Sequence, residues 1–325
     1  MFCCLAAVLL CVHVLQKRNA PFDDLTSKTY YKTYASLEST HYASISHARK
    51  VPFAFASFPS TETAICLVCP DLTHQAMHHA ERLASFAPNA TVFLLVDSVT
   101  AAEALVTSSH IFLISTGVVL PKKHGFRLTD GFNIKKEVHA WDKAYYLFAK
   151  MLLHRYKFVW FVEWDVFVPS KTAFDQLDAS SRLALGSPFP YADLITAGNV
   201  VNTDGHTHHI NPGETKVTPD WHWQRVKGLM PPPWHGSMMC IHGMSERLLE
   251  RIGSFAAAKN RLVFIEAFAI TLAFHHNLTV YLPQQLSSIV FKHSWTCADV
   301  AIAPLNIFHP VKNSTLLMNC SDHGP

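Results

Sequence analysis

The stretch YKFVWFVEWDVFVPS, residues 156–170, poses the problem that decides the fold. Aromatic and β-branched residues follow one another from 158 to 162, the pattern of a strand buried on both faces, and Pro169 closes the run. Yet Glu163 and Asp165 stand inside it. An unpaired charge in an apolar interior costs several kcal/mol, so something must offset it. Three arrangements would: a bound cation, a basic partner such as Arg155 or Lys143, or exposure of the strand end at a site. Successive strand residues face opposite sides, so Glu163 and Asp165 are expected to point the same way and Trp164 the other way, into the core. Two carboxylates on one face at a strand end are hard oxygen ligands suited to Mn²⁺ or Mg²⁺.

Outward from this run, strand and helix patterns alternate. TAICLVC (63–69), ATVFLLVD (90–97) and HIFLIS (110–115) read as buried strands, and LTHQAMHHAERLASFA (72–87) as a helix between the first two. EVHAWDKAYYLFAKMLLHRY (137–156) carries Trp141, Tyr145, Phe148 and Leu152 at helical spacing and leads directly into the acidic strand. Beyond it follow a short helix, TAFDQL (172–177), a strand in RLALGSPFPYADL (182–194), and an irregular His- and Pro-rich region from 196 to 234. A loop of that length in a compact domain usually serves a site. Helices at 245–259 and 266–277 and strands at LTVYLP (278–283) and IVFKHSW (289–295) complete the chain. Such alternation predicts an α/β fold, a mostly parallel doubly wound sheet flanked by helices. In such sheets, ligands gather at the carboxyl ends of the strands.

The chain has 325 residues, 49% hydrophobic and 16% charged, which is ample for a substantial core and excludes a disordered protein. A net charge of +3 without recurring Lys/Arg blocks argues against nucleic acid as a partner. Residues 1–18, MFCCLAAVLLCVHVLQKR, form an apolar run with a basic end, expected to be a signal peptide or signal anchor that joins the protein to the secretory membrane system if uncleaved. The run lacks a basic region before it and a small-x-small cleavage site after it, as a start placed too late would explain. Residues 19–60 read as a stem or irregular lead-in, and 61–325 as one catalytic domain. Sequons at Asn89, Asn277, Asn313 and Asn319 favour the secretory route toward Golgi or ER lumen. Of eight cysteines, three lie in the leader, and the remaining five allow at most two disulfides, with Cys297–Cys320 the expected pair. Cys66 and Cys69 have redox spacing but sit inside a strand pattern, which makes them core.

An apolar strand ending in an acidic triplet, preceded by a helix with the element Trp141-Asp142-Lys143, resembles the nucleotide-sugar-dependent glycosyltransferases of the GT-A (Rossmann-like) fold. Glu163 stands where the strict pattern has aspartate. The resemblance extends to MPPPWHGSMMCIHGMSERLLERI (230–252), where Gly236 would lie beside a donor sugar, and to VFIEAFAITLA (263–273), where Glu266 would act as base. Ala267 replaces the second acid of the usual pair, and His293 in FKHSW would be a third metal ligand. What the resemblance implies is a metal-dependent glycosyltransferase, with Mn²⁺ or Mg²⁺ held by Asp165, Glu163 and His293, a nucleotide-sugar donor, and a glycan or glycoprotein acceptor. Trp234 or Trp164 would stack on a sugar or base ring.

Two other classes compete. The His cluster (His206, His208, His209) and the i,i+4 pair His74 and His78 suggest a zinc hydrolase, although no Glu follows His74. A catalytically inactive sugar-binding module on the same fold is the other.

Overall fold

Strand β6 (Phe158–Glu163) runs through the middle of a nine-stranded sheet and is buried along its length up to Glu163. The computed structural model describes residues 49–50, 61–97, 102–106, 111–116, 119–127, 138–183, 191–198, 200–202 and 226–312, all within one unit that begins at Arg49. The other strands of the sheet are β1 (Arg49–Lys50), β2 (Thr63–Cys69), β3 (Ala90–Val96), β4 (Ala102–Val106), β5 (Ile111–Thr116), β7 (Leu194–Ile195), β10 (Ile241–Ser245) and β11 (Val280–Tyr281). Their order is β1-β4-β5-β3-β2-β6-β10-β7-β11. All run the same way except β4 and β10, so the sheet is mostly parallel, as the alternating pattern predicts. Separately, β8 (Val200–Asn202) pairs with β9 (Trp234–Gly236), so two short strands bound the region read from sequence as irregular.

Helices cover both faces. On one side α3 (Ala140–Tyr146) continues into a π-helical turn (Leu147–Met151), and Phe148 and Tyr145 meet the Phe161 ring edge-on at 5.5 Å. On the other side α4 (Lys171–Leu183) sets Phe174 against Trp160, whose Nε1 donates to Asp178 Oδ1 at 3.1 Å. Helix α1 (His74–Phe86) starts at Thr73, whose hydroxyl accepts from the Ala76 N–H, and it buries Ala76, His79, Ala80 and Leu83 at helical spacing. Helix α5 (Glu246–Lys259) is capped by Ser245 in the same way, and α6 (Ile265–His275) is buried on nearly every side. Of the two short helices, α2 (Val119–Lys123) packs against α3, and α7 (Cys297–Ile302) buries Val300 in a small separate cluster with Phe167 and Phe308.

Three expected elements differ. The run 182–194 is the end of α4 and, after residues outside the description, only the two-residue β7. IVFKHSW forms no strand: Ile289 makes a single bridge to His309, and the rest is irregular. Within the stretch 230–252, where no strand was expected, lies β10, inserted antiparallel between β6 and β7. Gly243 makes this insertion possible, because a Cβ there would stand 2.4 Å from the Phe158 ring, itself stacked on Tyr191 at 4.4 Å. Cys66, Cys69 and Cys240 are free and buried, the first two in the core as expected. Cys297 is disulfide-bonded, and Cys320, its expected partner, lies outside the described residues. Asn89 and Asn277 are exposed; Asn313, Asn319, the leader and His206, His208 and His209 lie outside the description. Among the described residues no helix is long and apolar enough to cross a membrane.

Candidate functional site

The strand stops at Glu163, and Asp165 belongs to the turn that follows. That turn is closed by Val166 N–H donating to Glu163 O at 3.1 Å and anchored by Trp164 N–H on Val68 O at 3.1 Å. The two acids therefore converge through a turn, not through strand alternation. Glu163 shares its strand face with Phe161, the face covered by α3, and Trp141 of that helix donates its Nε1–H to Glu163 Oε1 at 3.0 Å. An aromatic cluster holds the indole in place: Trp141, Tyr145 and Phe161 all pack on the buried His242 ring.

The C-terminal segment completes the site. Phe308 bridges to Phe167, and Val311 N–H donates to Asp165 O at 2.7 Å. This places His309 Nε2 3.6 Å from Glu163 Oε2 and 3.5 Å from Asp165 Oδ1. The other ring nitrogen, Nδ1, lies 2.9 Å from Val290 O, so it carries the proton and donates to that carbonyl. Lys312 caps Asp165 Oδ2 from outside with a side chain 70% exposed. Of the three arrangements that would offset the buried charge, a basic partner is present, but it is Lys312 together with His309. Lys143 is committed elsewhere, to Asp97 Oδ1 at 2.7 Å at the end of β3.

Electrostatics separates the two acids. Burial, then the Asp165 charge, raises the Glu163 carboxyl above its ordinary value against the pull of His309 and Trp141. Burial pushes Asp165 up too, but hydrogen bonds and charge from His309 and Lys312 outweigh it and hold Asp165 low. For His309, the two carboxylates overcome the burial that would discharge it, and its pKa is raised.

Cys240 stands opposite Glu163, where the β6–β10 ladder continues: Glu163 N–H donates to Cys240 O at 2.8 Å. Opposed residues of neighbouring strands share a face. Ligand atoms of Glu163, Cys240 and His309 all lie within 4.8 Å of one another, a group able to hold a metal ion. Burial raises the Cys240 thiol well above its usual range, and the charges of Glu163, Glu266 and Asp165 raise it further. Glu266, in the first turn of α6, thus belongs to the same neighbourhood, and its backbone carbonyl accepts from Ser237 N–H at 2.8 Å, next to Gly236 at the end of β9.

Other expected residues fall elsewhere. His293 is exposed and packs on Trp295 at 4.0 Å; the histidine facing both acids is His309. Trp234 is buried with Nε1 on Met230 O at 2.9 Å, which removes its ring from any ligand. Trp164 is half-buried, with Lys312 Nζ 5.3 Å over its ring, and is not a full core residue. His74 and His78 are exposed, outside the one metal-competent group among the described residues. His309, Cys240 and Lys312 escaped the sequence reading. One usable signal was Trp141, since a buried indole N–H requires an acceptor.

The site sits at a topological switch point. From β2 the chain builds β3 and β5 on one side, then crosses to lay β6 on the other, pairing Val68 with Glu163. Open α/β sheets bind ligands at such a crevice. No family model matches this chain, and no curated protein does. Among solved structures it is similar to the bifunctional IspDF from Campylobacter jejuni, with a TM-score of 0.34 and 12% identity over 70% of this chain and 51% of that one. The chain thus spans about half the length of that protein. It is also similar to mouse xyloside xylosyltransferase 1 in its apo form, with a TM-score of 0.37 and 10% identity over 79% of this chain and 99% of that one.

Proposed function

We propose that this protein is a divalent-cation-dependent glycosyltransferase, moving a sugar from a nucleotide-sugar donor to a hydroxyl acceptor on a glycan or glycoprotein. The observation that carries this reading is the convergence of Glu163, Asp165 and His309 at the carboxyl end of β6, beside the switch point. Donor set and surroundings suit a cation: two carboxylates, and an imidazole whose Nδ1–H is fixed on a backbone carbonyl. Glu163, Asp165 and His309 would hold the cation, which would neutralise charge on a leaving diphosphate.

Glu266 takes the acceptor's proton as the hydroxyl attacks the anomeric carbon, general-base catalysis from the first turn of α6. Trp141 keeps Glu163 oriented throughout. Gly236 lines the donor side, one residue from the Ser237–Glu266 contact. A secretory setting, in Golgi or ER lumen, is supported by the Cys297 disulfide and by the exposed sequons Asn89 and Asn277.

Titration calorimetry with UDP and GDP, with and without Mn²⁺, tests this reading. Binding is expected only with the cation and is lost in Asp165→Asn; no binding under either condition defeats the proposal. A second reading rests on Lys312: seated on Asp165, its ammonium would serve in place of a metal, and nucleotide would then bind without one.

A further inference from the structure

Cys240 has no part in the reaction outlined above, yet its thiol lies at the centre of the site. Its position is not accidental to one rotamer. The Glu163 N–H···O Cys240 bond extends the β6–β10 ladder by one residue and fixes both side chains on one face. Across from them, His309 is locked by its Nδ1–H on Val290 O and offers Nε2 inward. Sulfur, imidazole nitrogen and carboxylate oxygen lie within 4.8 Å of one another, and Asp165 Oδ1 is 3.5 Å from the same imidazole.

This is a mixed S/N/O set. Mg²⁺ demands oxygen ligands and near-octahedral geometry, whereas Zn²⁺ accepts thiolate, imidazole and carboxylate together in four-coordination. We propose that Cys240 is a thiolate ligand of the cation held by Glu163 and His309, three protein ligands that leave a fourth position open, so that the site selects Zn²⁺ over Mg²⁺. The inference rests on the cation-binding half of the function proposed above and not on the reaction.

Ligation exchanges the thiol proton for a metal–sulfur bond, and the proton passes to solvent. Without a cation, burial and three surrounding carboxylates keep the thiol protonated and unreactive.

Co²⁺ titration of the full chain under anaerobic conditions, with the Cys297 disulfide left intact, gives the decisive spectrum. A thiolate-to-cobalt charge-transfer band in the near ultraviolet, together with intense visible bands of a four-coordinate ion, is expected. Zn²⁺ should displace the Co²⁺ and an equal concentration of Mg²⁺ should not. In Cys240→Ser the charge-transfer band should vanish and Co²⁺ bind about tenfold more weakly or worse. Co²⁺ binding without the band in the wild-type protein overturns the role of Cys240 and leaves the oxygen- and nitrogen-bound cation standing. Absence of any divalent binding overturns both. Persistence of the band in Cys240→Ser assigns the sulfur to another cysteine and also overturns the inference. The wild-type spectrum decides whether sulfur is ligated even if the variant fails to fold.

Discussion

Trp141 donates its indole N–H to Glu163 Oε1 at 3.0 Å, joining the helix before β6 to the acid at its end. The indole thereby chooses which carboxylate oxygen remains for a ligand. Trp141→Phe keeps most of the ring packing but removes the donor. Without that hydrogen bond to its charged form, Glu163 moves further upward in pKa. Divalent-cation affinity is expected to fall about tenfold, measured by titration calorimetry, with a stability loss of about 1–2 kcal/mol from the smaller side chain.

On the proposed function, Lys312, seated on Asp165, would compete with a metal for that carboxylate. Because the lysine is mostly exposed, its hold is modest, on the order of 1 kcal/mol or less. Lys312→Met is therefore expected to tighten Mn²⁺ or Zn²⁺ binding by up to about fivefold. If the ammonium itself does the cation's work, the same variant instead weakens metal-free nucleotide binding, so the sign of the change separates the two readings.

Acid should destabilise the protein through two buried histidines. Burial lowers His79 from 6.5 to about 4 and His242 from 6.5 to about 3. Both are neutral when folded; His242 donates Nδ1–H to Met239 O at 2.7 Å and accepts from the Tyr145 hydroxyl at 3.3 Å. Below pH 6.5 the unfolded chain binds more protons than the folded one, so stability falls as pH drops, levelling off only beneath the folded values. At pH 5 His79 alone accounts for about 2 kcal/mol. Urea unfolding at pH 7 and pH 5 measures this, and His79→Phe should flatten the dependence by about one proton.

Gly243→Ala tests the antiparallel insertion of β10. The new Cβ would meet the Phe158 ring at 2.4 Å, and Phe158 is held against Tyr191. A stability loss of about 1–3 kcal/mol is expected, read as a lower denaturation midpoint at unchanged m-value. Unchanged stability would show that Phe158 can yield.

Much of the fold was legible in local pattern. Periods of two and 3.6 residues marked β2, β3, β5, β6, α1, α5 and α6, because each element buries one face or all of itself in a way its own residues announce. The acids at the end of β6 were legible for the same reason: charge amid apolar residues needs compensation wherever it occurs. IVFKHSW shows the limit. It has strand composition, but a strand exists only when a neighbour pairs with it, and beyond the Ile289 bridge no partner strand lies there among the described residues.

By itself, then, the sequence determined the alternating α/β order and the location of a carboxylate pair at a central strand end. Only the tertiary structure decided what faces that pair. His309 and Lys312 arrive from well over a hundred residues away, and Cys240 arrives just ahead of β10, a strand that the sequence reading did not mark. Periodicity encodes which face of an element is buried; it does not encode which distant atoms end within a few ångströms of one another. The physical reason is that ligand convergence comes from strand order and register, which depend on pairing across the whole sheet.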